Sequence, residues 1–340
     1  MGKGTKQIVG DFRIFGSNSR FMPETPSDNP NQYSIGFYNL ENLFDTLDDP
    51  HTLDDDFTVD SEKKWTEDRF RKKVNKLGQV ISNMGYEEIQ FPPVLLGVAE
   101  VENSDVLDAL IASKSLHKKD YDYVHFDSPD ERGIDTALLF RKEYFSVIKQ
   151  EAHTVYLTDE IGNRDYTRDI LYVHGELEDK PLHILVNHWP SRRKGADETA
   201  HKRSAAAERN LELLATIYSE DPEAKVIIMG DFNDDPHSAS VKKLVTSEMY
   251  NPMEMLLTKY QGSLSYRDTW YLFDQIIISH NFLRGHNNPF RFKTAKIFDP
   301  KEIKEYKGKY KGLPFRTYSG KKHLGGYSDH FPVYTIFSIH

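Results

Sequence analysis

The sequence predicts a two-sheet α/β sandwich, on three observations. Apolar runs of strand length, such as Val94-Leu95-Leu96-Gly97-Val98-Ala99 and Val226-Ile227-Ile228-Met229, expire in polar phrases. Between them, apolar residues recur at helical spacing. Several strand-like segments are neighbours across a turn, which fits mixed sheets with hairpins better than strict parallel alternation.

Residues 1–32 lack periodicity and carry Pro23, Pro26 and Pro30, so an irregular arm is expected there. No glycine-, serine- or proline-rich linker divides residues 33–340, which read as a single domain. Ile35-Gly36-Phe37-Tyr38 predicts the first strand, and Asn39-Leu40-Glu41-Asn42 carries its polar end. Residues 45–68 are strongly acidic, lack a calcium-loop spacing and read as a solvated loop. Thr66 caps a helix along which Phe70, Val74, Leu77 and Ile81 recur until Gly85. The next apolar run ends at Glu100. Val106, Leu107 and Leu110 then mark a second helix, with Glu102 and Asn103 as scaffold or cap.

Residues 121–126 and 136–140 predict strands around a turn at Pro129 and Gly133, and residues 170–173 and 182–186 predict the next pair. Asn187-His188-Trp189-Pro190-Ser191 forms the exit of that pair. Leu211, Leu214, Ala215 and Tyr218 mark a helix that feeds the strand before Gly230-Asp231-Phe232-Asn233. Gln275-Ile276-Ile277-Ile278-Ser279 follows Asp274, and residues 331–337 follow Ser328-Asp329-His330 as the last strand. No repeat is evident.

Composition narrows the function. Hydrophobic residues make up 38% of the 340, and no run is long enough to span a bilayer, so a soluble protein is expected. The start lacks an apolar signal region, which makes the cytoplasm the default expectation. With no cysteine, thiolate metal sites, disulfides and a cysteine nucleophile are all excluded. A formal charge of −9, from 53 acids and 44 bases, disfavours long-range attraction to a polyanion. Residues 301–322 run against that trend. They hold eight bases and two acids, interleaved with Tyr306, Tyr310, Phe315 and Tyr318, a mixture suited to phosphates and bases.

The polar residues at strand ends are Asn39, Glu41, Glu100, His188, Asp231, Asn233, Asp274, Asp329 and His330. Carboxylates of this kind suit a hard cation such as Mg²⁺ or Mn²⁺, which keeps waters and takes few protein ligands. Phosphodiester hydrolysis needs such a Lewis acid, an oriented water and donors to the phosphoryl oxygens. Taken singly, each phrase has an ordinary reading: an Asx turn for Asp231 and Asn233, a solvated strand end for Glu100, a packed side chain for His188. Their joint occurrence favours a site.

In order and content these phrases resemble the motifs of the endonuclease/exonuclease/phosphatase superfamily, from about Tyr33 to the C-terminus. That superfamily includes pancreatic-type deoxyribonucleases, abasic-site endonucleases, sphingomyelinases and inositol polyphosphate 5-phosphatases. The resemblance implies a four-layered α/β sandwich, two mixed and mostly antiparallel sheets flanked by helices. It also implies that Glu100 is the principal metal ligand, with Asn39, Glu41 and Asp329 beside it; family members often carry Asp where Glu41 stands. Asp231 would activate water, Asn233 would donate to the phosphate, and His330, oriented by Asp274, would face the scissile group. His188 stands in the place of a phosphate-contacting residue and Ser191 in that of a polar contact, while Arg192-Arg193-Lys194 adds positive charge. Trp189 departs from the small or apolar residues usual there. The function so implied is a Mg²⁺- or Mn²⁺-dependent phosphodiester hydrolase, foremost a nuclease acting on DNA or RNA. An inositol-phosphate phosphatase or a sphingomyelinase-like enzyme is the alternative on the same fold, and a non-catalytic binding module is a third reading.

Overall fold

The computed structural model describes residues 31–159, 161–193, 195–285 and 288–340. The arm expected over residues 1–32 falls outside them except for its last two residues, and so does Lys194. The first sheet holds β1 (Gln32–Leu43), β2 (Leu95–Val101), β3 (Tyr121–His125) and β4 (Asp135–Arg141). The second holds β5 (Phe145–His153), β6 (Ile170–Leu177), β7 (Lys180–His188), β8 (Val226–Asp231), β9 (Met249–Tyr250) and β10 (Asp274–Ser279). The chain then returns to the first sheet through β11 (Phe290–Ile297) and β12 (Val333–Ile339).

The strand orders are β11-β12-β1-β2-β4-β3 and β9-β10-β8-β7-β6-β5. Each sheet contains one parallel pair, β1 with β2 and β7 with β8; the other pairings are antiparallel. The two parallel pairs matter for function, because all four of their C-terminal ends carry residues of the expected site: Asn39, Glu100, His188 and Asp231. The expected sandwich of mixed, mostly antiparallel sheets with flanking helices is the observed fold.

Period-two burial explains why the central strands read as continuous apolar runs. On β7, β8 and β10, residues Ile184, Val186, Ile227, Met229, Ile276 and Ile278 join the core between the sheets. Leu185, Val226, Ile228 and Ile277 face the other way, into a second core with Ala206, Ala207, Leu213 and Leu214 of the helix that follows β7. A strand covered on both faces has no polar side to show. Helix α1 (Glu67–Asn83) begins at Thr66, whose side chain accepts from the Arg69 amide, and buries Phe70, Val74, Leu77 and Ile81 as expected. Asn103 caps α2 (Ser104–Ile111) by accepting from the Val106 amide at 3.1 Å. Helix α3 runs from Ala200 to Glu220 and buries Ala206, Asn210, Leu213, Leu214 and Ile217. The expected Leu211 and Tyr218 are only half-buried there and Ala215 is exposed, because small residues at 206 and 207 set the helix against the sheet along a rotated face.

The sheets pack tightly at Gly97. A Cβ there would lie 2.6 Å from Met229 Sδ, 3.0 Å from the Phe37 ring and 3.1 Å from Val186 Cγ1. Gly97→Val is therefore expected to overpack the core and cost about 1–3 kcal/mol. A urea midpoint equal to that of the parent would refute this. No helix among the described residues is long and apolar enough to cross a membrane.

Candidate active site

Two β-strand irregularities place the first of the expected site residues. The β1/β2 register shifts between Asn39 and Leu43, and Glu41, Asn42 and Glu100 all adopt positive φ, at 51°, 52° and 62°. The backbone turns there, and the Glu100 carboxylate is captured by the Asn42 amide at 2.8 Å. Asn39 Nδ2 donates to Asp231 Oδ2 at 3.0 Å and to Glu100 Oε1 at 3.4 Å, which ties the first sheet to the second. Its Oδ1 accepts from the Glu41 amide at 2.9 Å.

On the second sheet, β8 presses so close to β7 that a Cβ on Gly230 would sit 2.2 Å from the Asn187 carbonyl oxygen. The next residue, Asp231, is buried and accepts the Asn233 amide on Oδ1 at 2.8 Å, the Asx turn that the phrase suggests by itself. The turn and the placement of Asp231 in the buried cluster coexist. Burial, and then the neighbouring Asp274 charge, push the Asp231 carboxyl up to about 7, against the opposing pull of His330 and the amides. Asn233 also donates its side-chain amide to the Trp189 carbonyl at 2.9 Å.

Asp274, fully buried, bonds His330 Nδ1 at 2.6 Å. Burial works against a charged imidazole, but the carboxylates of Asp274, Asp231 and Asp329 outweigh it and hold the His330 pKa well above its ordinary value. Nδ1 is thus committed to Asp274, and Nε2 lies 3.9 Å from Asp329 Oδ1. Ser328 anchors this corner, donating to the Asn39 carbonyl at 2.7 Å and accepting the His330 amide at 3.1 Å.

His188 Nε2 stands 3.8 Å from Asp231 Oδ2 and 3.9 Å from Glu100 Oε1. Its Nδ1 has no hydrogen-bond partner among the described residues. Burial, reinforced by Arg168, Arg132, His330 and Arg193, keeps its pKa well below the usual value, so the ring is neutral. Beneath it, Trp189 turns away from the site into the outer core: its ring is edge-on to Phe232 at 4.7 Å, and Nε1 donates to Asn187 Oδ1 at 2.9 Å. An Asn187–Asn210 amide pair fastens this strand end to α3.

Three expected residues are engaged outside the cluster's centre. Glu41 is buried, and its oxygens accept the amides of Thr317 at 2.6 Å and Tyr318 at 3.5 Å. Burial and then Asp329 raise its pKa to about 7, while Lys73 opposes the rise. Asp329 is held by Arg316 Nη2 at 2.7 Å. Arg192 points toward Asp234, donates to the Asn233 carbonyl at 2.7 Å and stacks on Phe273 at 4.6 Å. Ser191, by contrast, lines a pocket on the His188 side together with Arg193.

Sequence reasoning passed over Lys73 and Arg168. Lys73 lies within the apolar stripe of α1, an abnormal place for a lysine that was its available signal; its Nζ donates to the Glu41 carbonyl and to Thr317 Oγ1. Arg168 is buried just before an apolar run and donates to the carbonyls of His188 at 3.1 Å and Trp189 at 2.6 Å, and to Asp130 at 2.8 Å. The basic stretch 301–322 folds beside the cluster. Through Arg316, Tyr310 and Lys309 it walls a cleft of about 460 Å³ that also includes Tyr266, Arg267 and Asp329.

Ligand atoms of Asp231, Asp274 and His330 all lie within 4.8 Å of one another, with Glu100, Asn39 and His188 at the edge. Such a concentration of buried carboxylate, with one imidazole held charged, suits a divalent cation and a phosphoryl group, the needs of a metal-dependent phosphoester hydrolase. The chain belongs to the endonuclease/exonuclease/phosphatase family, whose description matches residues 34–338. No curated protein sequence matches it. Its fold is similar to that of D. rerio TDP2 humanized by 14 mutations, at 16% identity, covering 91% of this chain and 99% of that one with a TM-score of 0.55. An endonuclease/exonuclease/phosphatase family protein of Bacteroides thetaiotaomicron is similar at 16% identity, 91% and 95% coverage and a TM-score of 0.55. The human Nocturnin catalytic domain with a bound sulfate anion gives the same four figures: 16%, 91%, 95% and 0.55.

Proposed function

We propose that this protein hydrolyses phosphodiesters of DNA or RNA, with Mg²⁺ or Mn²⁺, by in-line attack of water activated at Asp231. The observation that carries the reading is the cluster in which ligand atoms of Asp231, Asp274 and His330 lie within 4.8 Å of one another while Asn39 joins Asp231 to Glu100, and the direction of two protonation shifts agrees with it. Asp231, pushed up to about 7, is a carboxylate basic enough to take a proton near neutrality, while His330 stays an imidazolium able to donate.

The donor set fits a hard cation. Among the described residues Glu100 Oε1 accepts one hydrogen bond, the long one from Asn39, and the neutral His188 ring 3.9 Å from it brings no competing charge. Glu100 would hold the ion, with Asp329 close by and Asn39 fixing the carboxylates of Glu100 and Asp231. Bound there, the cation would act as a Lewis acid on the phosphoryl oxygens. Asn39 and the Asn233 amide orient Asp231 so that a free lone pair can accept the proton of water. His330 Nε2, left unbonded by the Asp274 link, donates to the phosphoryl group, and His188 and the second Asn233 N–H are further donors within reach of it.

Nucleic acid is favoured over an inositol phosphate or a lipid headgroup by the adjoining cleft. Tyr266 and Tyr310 are 59% and 53% exposed on its wall, beside Arg267 and Lys309, which offers base stacking next to phosphate charge. Chelation is expected to abolish turnover, and Mg²⁺ or Mn²⁺ to restore it. The substrate is tested by offering plasmid, single-stranded DNA, RNA, an inositol polyphosphate and sphingomyelin in parallel, with Asp231→Ala as blank. Preferential turnover of either non-nucleic substrate would overturn the nuclease reading.

A further inference from the structure

On the His188 side of the centre lies a separate pocket of about 220 Å³, lined by residues that the hydrolytic chemistry does not use. Its lining brings Arg132, Arg168, Arg193 and Lys202 together; Asp130 pairs with Arg132 at 3.5 Å and with Arg168 at 2.8 Å, and Asp165 pairs with Lys202. Arg193 makes no ion pair among the described residues. Thr167 is 3% exposed, and its hydroxyl finds no hydrogen-bond partner there. A buried hydroxyl left without a partner costs about 1–3 kcal/mol, so its retention beside the unpaired Arg193 and the Lys202–Asp165 pair points to an anionic guest that Lys202 can share. Ser191 borders the pocket three residues beyond His188, and Arg168 reaches the His188 carbonyl, so the pocket and the centre share a wall.

We propose that Thr167, Ser191, Arg193 and Lys202 form a second phosphate subsite, which takes a phosphate of the substrate other than the one being hydrolysed. Arg168 shapes it rather than serving as a ligand, since three of its nitrogens are committed to Asp130 and the two carbonyls. The guest is a phosphate next to the scissile one, either a terminal phosphomonoester or the adjacent diester of a strand. A substrate with a single phosphate leaves the pocket empty. This inference rests on the phosphodiester-hydrolase reading for its catalytic consequence.

The test compares kcat/KM for four substrates in Mg²⁺: the thymidine dinucleotide TpT, its 5′-phosphorylated form, its 3′-phosphorylated form, and TpTpT. The wild type is expected to prefer at least one of the last three by roughly tenfold, the effect of one charge-assisted contact. Lys202→Ala and Thr167→Val should each erase most of that preference. Gain from a phosphorylated dinucleotide identifies the terminal monoester, and gain from TpTpT alone identifies the adjacent diester. Equal rates on all four, or an undiminished preference in both variants, would overturn the subsite. Binding of inorganic phosphate to the metal-free Asp231→Ala protein, followed calorimetrically, separates the two readings. Phosphate affinity that falls roughly tenfold in the Lys202→Ala background, without turnover of any substrate, would sink the hydrolase reading and keep the subsite; no phosphate binding would sink the subsite whatever the turnover.

Discussion

Asp231→Asn is expected to lower kcat by about 10²–10⁴-fold while leaving the fold intact. The amide preserves shape and still accepts the Asn233 N–H, but it cannot take a proton from water. The same variant carries a pH signature. In the folded chain the carboxyl titrates at about 7, whereas an unfolded Asp titrates near ~3.9. Between those values the native state retains a proton that the unfolded state has released, so the stability of metal-free protein falls as pH rises through that window. Asp231→Asn should flatten this decline in denaturant titrations at several pH values. An unchanged slope, or parental turnover, would refute the assignment. With metal present, positive charge favours the carboxylate, and the acid limb of kcat/KM is expected to move to lower pH as Mg²⁺ is added.

Asp274→Asn should be almost as damaging, by about 10²–10⁴-fold in kcat, although Asp274 acts through another residue. Its carboxylate is the chief support of the His330 charge, at 2.6 Å in a buried setting. Without it, burial should prevail and the imidazole should turn neutral at pH 7. The sign for stability follows. His330 is raised above its unfolded value of ~6.5, so its contribution is fully present below that pH and is lost as pH rises through the folded pKa. Nitrogen-resolved NMR of His330 gives the decisive reading. A ring still protonated at pH 7 in Asp274→Asn would show that other charges suffice.

How much of this could be read from the residues varied with burial. Strands covered on both faces, such as β2 and β8, were legible because nothing polar interrupts them, and α1 was legible from its cap and its stripe. The outer strands β5 and β11 escaped notice for the opposite reason. Each lies at the end of its sheet, alternates polar and apolar residues, and contains a register shift, at Val147/Lys149 and at Phe292/Thr294. Edge strands need such features to discourage further pairing, and the same features blur their pattern. In the site, short phrases identified Asp231, Asp274 and His330, which the fold gathers into one cluster. They did not reveal that Arg192 faces Asp234 while Arg193 and Ser191 border a pocket, because neighbouring residues of an irregular segment diverge in ways that no period encodes. Nor did they reveal Thr167, whose importance lies in a hydrogen bond that it fails to make.

The order of strands in the first sheet has a consequence for biosynthesis. Strand β12 lies between β1 and β11, with Gln32 opposite Ser338 and Phe37 opposite Val333. A ribosome makes β1 some three hundred residues before this partner, so throughout that interval the edge of β1 that β12 later covers lacks its partner. The second sheet, contiguous from β5 to β10, can close during elongation. The candidate-site residues Asn39 and Glu100, on β1 and β2, thus lie in a sheet whose pairing with β12 waits for residues 333–339, which couples assembly of that corner to a late, long-range contact.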